Sequence, residues 1–318
     1  MRVARGVLGF LAVVFFAVAH AQPYPAKPVR LVVPFPPGGS TDLVARQITP
    51  TLGDFLGQQV VIEYKGGAAG SIGTAEVARA AADGYTFLIV WDTHAVNHHL
   101  YNVQYDFFKS FDPITQLVQA PGILVAHPSF PPADFKEFVA YLKANPGKVT
   151  VGMVGAGSSG NLAAVLLSQL TNTQVTFVNY KGGGPLINDM LGGHVNVTFG
   201  TYSLWEPHVR SAKLKALAVL GKSRMPQYPD LPAANETVSG MESRTWFGLL
   251  APAGVPKDIL AKVHREAVRT LNDPKVRESL VSRGMEVVGS TPEAFAEFLK
   301  RESESSERLI KSAGIKIE

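Results

Sequence analysis

Cysteine is absent from all 318 residues of the chain. That excludes disulfides, thiolate metal centres, a thiol nucleophile and a lipid-bearing cysteine. No apolar run is long enough to cross a bilayer: the longest, Val7–Ala19, has about 13 residues, against the roughly 20 a spanning helix needs. Lys and Arg are scattered rather than gathered, so the formal charge of +4 forms no basic patch and nucleic acid is not a partner. The Gly-x-Ser-x-Gly elbow is missing too, because Gly157-Ser158-Ser159-Gly160 has the wrong spacing for it. The glycine-rich loops hold neither a nucleophile beside a base nor a pair of carboxylates. The chain therefore reads as a non-enzyme that needs no cofactor and no metal.

What is present begins with an export signal. Arg2 and Arg5 precede the apolar run, which ends in Ala19-His20-Ala21, a small-x-small cleavage site. Residues 1–21 read as a cleavable leader, and the loss of its two arginines takes the formal charge to +2. Residues 22–318 are enough for a large core split over two lobes, held by packing alone.

Within that stretch one design is written twice. An apolar strand, Val29–Phe35, runs through Pro36-Pro37-Gly38-Gly39 into a helix opened by Ser40-Thr41-Asp42, and Tyr64-Lys65-Gly66-Gly67 follows a second strand. Strand Val149–Val154 likewise runs through Gly155-Ala156-Gly157 into a helix opened by Ser158-Ser159-Gly160-Asn161, and Tyr180-Lys181-Gly182-Gly183 follows strand Val175–Tyr180. Each copy predicts a βαβαβ unit and hence a parallel sheet. The strand at Pro121–Pro128 crosses into the second lobe, and the strand at Trp246–Ala251 begins after a proline-rich return. Two crossings imply a hinge between two doubly wound α/β lobes.

A strand–glycine–helix junction leaves backbone N–H groups free at the positive end of a helix dipole, so it seats an anion. Two junctions facing each other would hold one carboxylate, helped by the hydroxyls of Ser40, Thr41, Ser158 and Ser159. Asp42 reads as a brace for its helix, or a partner for a ligand amine or hydroxyl. Gly155-x-Gly157-x-x-Gly160 matches the dinucleotide fingerprint, but the next strand ends Asn179-Tyr180-Lys181 without the acidic residue that would bind ribose. Gly38-Gly39-Ser40-Thr41 lacks the lysine of a P-loop. His94 and His98 have a ligand-like spacing, yet no second-lobe partner is evident; Thr93 and His94 read instead as strand-end cleft residues. Trp91, Tyr202 and Trp205 offer faces for a flat guest, or simply core.

Six segments together resemble one family: Val33–Asp42, Ala82-Asp83-Gly84-Tyr85-Thr86, Gly157–Leu162, Tyr180-Lys181-Gly182-Gly183, Asp189-Met190-Leu191-Gly192-Gly193 and Trp246–Gly254. They look like the solute-binding receptors of the tripartite tricarboxylate transporter, the Bug family. The likeness covers the chain from Val33 onward in order. It implies a type II periplasmic-binding-protein fold, two lobes joined by a two-strand hinge, and a small carboxylate held between two loops. It also implies periplasmic location in a Gram-negative bacterium and delivery to an inner-membrane permease by a monomer. Carried over position by position, it marks Phe35, Gly39, Ser40, Thr41, Ser158, Ser159 and Asn161 as ligand-binding, with Thr93, His94 and Tyr180 beside them; Pro36, Asp42, Ala156 and Gly157 join them as members of the two gripping loops. Two departures bear on the ligand: Tyr64-Lys65-Gly66-Gly67 stands where Asn-Arg-Pro-Gly is more usual, and Trp91-Asp92 is bulkier than the small residues common there.

The expected division is leader 1–21, lobe 1 from 22–122 plus 225–318, and lobe 2 from 123–224. The guest is a di- or tricarboxylate or an aromatic acid. Two other readings remain open: a secreted dehydratase or lyase on the same scaffold, and a ligand sensor for a membrane kinase.

Overall fold

The computed structural model describes residues 24–226 and 228–313. The expected leader lies outside them. In chain order the elements are β1 (Val29–Val33), α1 (Ser40–Leu56), β2 (Val60–Tyr64), α2 (Ser71–Ala78), β3 (Thr86–Trp91), α3 (Asn97–Leu100), β4 (Phe111–Ala126), α4 (Phe135–Ala144), β5 (Thr150–Met153) and α5 (Ser159–Thr171). Next come β6 (Thr176–Asn179), α6 (Gly183–Leu191), β7 (Val197–Thr201), α7 (Tyr202–Arg210), β8 (Lys215–Val219), β9 (Arg244–Pro252), α8 (Lys257–Asn272), α9 (Pro274–Ser282), β10 (Glu286–Val287) and α10 (Pro292–Ala313).

The strands run β2-β1-β3-β9-β4-β7-β5-β6 in one continuous path. In the first lobe β1 pairs parallel with β2 and β3, and antiparallel β9 closes the set. The second lobe repeats this: β5 pairs parallel with β6 and β7, and antiparallel β4 closes it. The near-continuous Val/Leu/Ile runs of β1 and β3 follow from burial on both faces: Leu31 and Val33 face the core under α1 and α8, while Val32, Leu88 and Val90 face Phe295 and Leu299 of α10. The mixed α/β fold with two lobes is as the repeated pattern predicts.

The 16-residue strand β4 is the spine. Its first half pairs with β9 in lobe 1, and its second half with β7 and β8 in lobe 2. The changeover falls at Pro121-Gly122, where the Gly122 N–H donates to the Ser243 carbonyl and Leu220 N–H donates to the Gly122 carbonyl. Residues 225–226 and 228–243, expected with lobe 1, pack into lobe 2 instead. Met225 and Ala233 join the core of Trp205 and Met190, and Ala234 and Met241 join that of Phe138 and Leu217. Apolar contact rather than the proline punctuation decides their side, so we place the second crossing at Ser243–Arg244.

The dinucleotide-like spacing in lobe 2 has a packing origin. Gly155 and Gly157 have φ of +79° and +84°, which only glycine adopts freely. At Gly160 a Cβ would lie 2.1 Å from the Phe199 carbonyl oxygen, so α5 sits on β7 with no room for a methyl group. Gly160→Ala is expected to cost about 2 kcal/mol of stability through forced separation of helix and strand. Urea denaturation measures it, and an unchanged midpoint would refute this account of the packing.

Candidate functional site

The first glycine junction is held by a carboxylate. Asp42, the third residue of α1, accepts from Gly38 N–H at 2.8 Å, Arg46 Nε at 2.7 Å and the Tyr64 hydroxyl at 2.6 Å. Burial opposes its charge, but the bonds from Tyr64, Gly38 and Arg46 outweigh that and hold the carboxyl below the usual range. Asp42 therefore braces the turn, whose Gly38 has φ of +88°. The helix itself starts at Gly39, with no side chain capping its first N–H groups. Ser40 and Thr41, both buried, occupy that first turn.

Two more helix starts face it from lobe 2. α6 begins after Gly182 and α7 after Thr201, and neither has a side-chain cap. The lobes are closed upon one another here: a Cβ on Gly183 would lie 3.0 Å from Gly39 Cα, and one on Gly182 would lie 3.0 Å from Pro36 Cδ. Between them is a cavity of about 30 Å³, lined by Gly39, Ser40, Thr41, Gly183, Thr198 and Thr201 on its polar side and by Phe35, Trp91, Leu204 and Trp205 on its apolar side. No charged side chain is among the lining residues. Phe35 meets Trp91 edge to face, ring centres 5.4 Å apart. Such a volume holds little more than a water or two.

The second glycine junction does not share this cavity. Asn161 Oδ1 accepts from Gly157 N–H at 2.9 Å, the same i to i+4 brace that Asp42 makes, and Ser158 caps α5. A Cβ on Gly157 would run into Val96 and Leu100, and one on Gly155 would lie 2.9 Å from Ala69 Cβ; all three neighbours belong to lobe 1. Gly157 and Ser159 line a separate cavity of about 140 Å³ with Asp92, Arg244 and Glu302. The Asp92 carboxylate faces the Ser159 amide and hydroxyl at the start of α5. Thr245 Oγ1 donates to Asp92 Oδ2 at 2.8 Å and itself receives the Trp91 indole N–H. Asp92 Oδ1 has no hydrogen bond of good geometry among the described residues. Burial pushes this carboxyl up to about 7, against the pull of Ser159 and Thr245.

Of the residues marked from sequence, Phe35, Gly39, Ser40 and Thr41 come together at the cavity, with Pro36 at its edge against Gly182. Gly157 and Ser159 line the other cavity with Asp92, and Ala156, Ser158 and Asn161, their neighbours at the start of α5, are not among the residues that line the first. Tyr180 donates its hydroxyl to Asp189 at 2.6 Å and packs on the lobe 2 core. Tyr202 is buried beside Gly284 and Met225. Thr93 and His94 fall in the buried turn Asp92–Ala95. Sequence reading missed Gly183, Thr198 and Thr201. The second Tyr-Lys-Gly-Gly pointed at Gly183; the two threonines showed only their place near a strand end.

His94 is the largest departure. It is 3% exposed among Tyr105, Phe107 and Phe111, and neither ring nitrogen has a partner among the described residues. Burial first, and the nearby His98 second, push it down to about 3. His98 and His99 both bring Nε2 to Ser303 Oγ, at 3.0 and 2.9 Å, pinning α10 to lobe 1; burial and then His99 push His98 down to about 4.

Comparison with known proteins agrees with this architecture. The family model described as tripartite tricarboxylate transporter family receptor matches residues 44–315. Protein BugT of Bordetella pertussis is 33% identical over 305 residues, covering 95% of this chain and 94% of its own. The solved periplasmic binding protein BugD superposes with a TM-score of 0.89 at 36% identity, over 92% of this chain and 99% of that one. R. palustris Rpa4515, solved with adipate, gives 0.89 at 31% identity over 92% and 99%.

The buried histidine makes a pH prediction. Unfolded His94 takes up a proton below its ordinary value near 6.5, whereas the folded one does so only near 3, so acid favours the unfolded chain. Its share of stability is whole above pH 6.5 and is lost as pH falls toward 3. His94→Phe, which removes two unsatisfied polar atoms, should gain about 1 kcal/mol near pH 7, with a larger advantage at pH 4.5. Urea midpoints across that range give the difference, and a constant gap between the two proteins would contradict it.

Proposed function

Because the chain belongs to the tripartite tricarboxylate transporter receptor family, we propose that it captures a small organic acid between its lobes and releases it to an inner-membrane permease. The observation that carries this reading is the convergence of three helix N-termini, those of α1, α6 and α7, none with a side-chain cap, on one cavity whose lining is uncharged. Each contributes unpaired N–H groups and about half a positive charge. A carboxylate satisfies donors from both lobes at once, so it binds the closed form more tightly than the open one. That difference drives closure. Adipate in Rpa4515 is in keeping with an acid as guest.

In this reading residues 1–21 are the leader that takes the chain to the periplasm, where it acts as a monomer without turning its ligand over. Among the described residues no helix is long and apolar enough to cross a membrane. The hinge is the Pro121–Gly122 turn of β4 with the Ser243–Arg244 crossing.

Calorimetry and thermal shift with a panel of carboxylic acids test the proposal. A bound acid at a hundred times its dissociation constant should add about 2.7 kcal/mol of stability, and it should be recovered chemically unchanged after prolonged incubation. Gly183→Val places methyl groups where Gly39 Cα and Leu204 stand 3.0 and 3.2 Å from a Cβ, so it should keep the fold and weaken acid binding by about tenfold or more. Binding unaffected by this variant, or a response to sugars and cations but to no acid, would sink the proposal.

A further inference from the structure

The two lobes present their helix starts to each other in a two-fold pattern. On one side of Trp91, α1 of lobe 1 faces the start of α6 and the end of β7 in lobe 2. On the other, α5 of lobe 2 faces the turn that leads into α2, at Ala69, and the residue after β3, Asp92. By topology α5 is the counterpart of α1, the turn before α2 that of the turn before α6, and the end of β3 that of the end of β7. The fold therefore builds two equivalent anion seats along one cleft. They differ in what fills them: at the first the lining has no charge, and at the second stands a carboxylate of the chain itself.

We propose that the Asp92 carboxyl occupies the second seat, so that the receptor takes a monocarboxylic acid with an apolar body and turns away dicarboxylates. The inference rests on the receptor reading above and narrows it. Asp92 is 6% exposed, lines one cavity with Gly157 and Ser159 at the α5 start, and leaves its Oδ1 without a partner among the described residues, so the carboxyl stands where a guest's second carboxylate would. A second carboxylate brought there must share a buried place with a carboxyl that burial already disfavours as an anion, so the two cannot both ionise freely. The same side chain fixes the wall between the seats through Thr245, which receives the Trp91 indole N–H. Held that way, Trp91 lines the first cavity together with Phe35 and Trp205. A guest whose one carboxylate lies among Ser40, Thr41, Gly183 and Thr201 thus meets only apolar and aromatic surface with the rest of its length.

The test uses the intact protein and named probes: benzoate, phenylacetate and hexanoate against malate and adipate, by calorimetry. The expected result is binding of at least one monocarboxylate, with every dicarboxylate weaker by about tenfold or more. Asp92→Ser, which empties the second seat, should shrink that ratio about tenfold, whereas the isosteric Asp92→Asn keeps the shape and the Thr245 bond and should shrink it through charge alone. The ratio, not the absolute affinity, is the readout, since general loosening of the cleft lowers both classes together. Malate or adipate binding the unaltered protein as tightly as any monocarboxylate overturns the inference while leaving the receptor reading intact. An unchanged ratio in both variants also overturns it. No response to any of the five acids removes the first seat as well, and with it the premise.

Discussion

An uncapped helix start carries donors that nothing inside its own helix can satisfy, and the cleft of this molecule is organised around such starts. α1, α6 and α7 open into one cavity without side-chain caps, while α5 is capped by Ser158 and faces Asp92. The contrast matters because caps and guests compete for the same N–H groups. Where the chain supplies its own acceptor the donor is spent; where it supplies glycine the donor waits. Glycine serves twice at the open seat, since it also lets Gly39 and Gly183 approach until their backbones almost touch. A methyl group on Gly183 would press on Gly39 Cα at 3.0 Å, whereas one on Gly39 would meet Gly183 only at ordinary contact distance.

The sheet order then determines which helix starts meet. In each lobe the parallel strands point their carboxyl ends toward the cleft, so every succeeding helix begins there. β4 ties the lobes edge to edge as one strand shared between both sheets, leaving closure to bending at Gly122 and at the return through Ser243. Because the second lobe repeats the first, closing the hinge pairs unlike elements: α1 with α6, and α5 with the end of β3. This crossed pairing is what puts a threonine-lined cavity on one side of Trp91 and Asp92 on the other.

Much of this was legible in the chain. The apolar runs at Val29–Phe35 and Thr86–Trp91, glycine turns at 38–39 and 155–157, and the doubled Tyr-Lys-Gly-Gly give the strands, the junctions and the repeat. Local pattern carries the order of elements along the chain, and so it placed Ser40 and Thr41 at a seat. It carries nothing about which elements of the two lobes meet in space. Pairing α1 with α5, the natural guess from two similar loops, needs the lobes to meet like to like, and the hinge sets them like to unlike. Thr198 and Thr201 are ordinary β-strand residues whose role comes only from that meeting. His94 misled for another reason: a polar residue after a strand usually points to solvent, but the turn at Asp92–Ala95 rolls it under Tyr105 and Phe111, and the sequence has no mark for a histidine left without a partner. The boundary at 224 failed because prolines mark turns, not the core to which the residues between them belong.

The carboxylate of Asp92 also bears on how firmly the empty receptor closes. Burying a charge costs several kcal/mol, and here the compensation is the Thr245 hydroxyl from its own lobe and the Ser159 donors from the other. Opening the cleft takes away the Ser159 donors but returns the carboxylate to water, and these two effects oppose each other. A neutral pair of apolar residues at the same place would favour closure without opposition, and a receptor shut without its ligand binds weakly because the guest must first find the rare open form. Because burial outweighs those bonds and pushes the carboxyl up to about 7, its charged form favours water over the place against α5 and so opposes closure. If the first seat takes an acid as proposed, the free energy for closure comes from that one acid group among three helix starts, and occupancy of the seat becomes the event that decides the shape of the whole molecule.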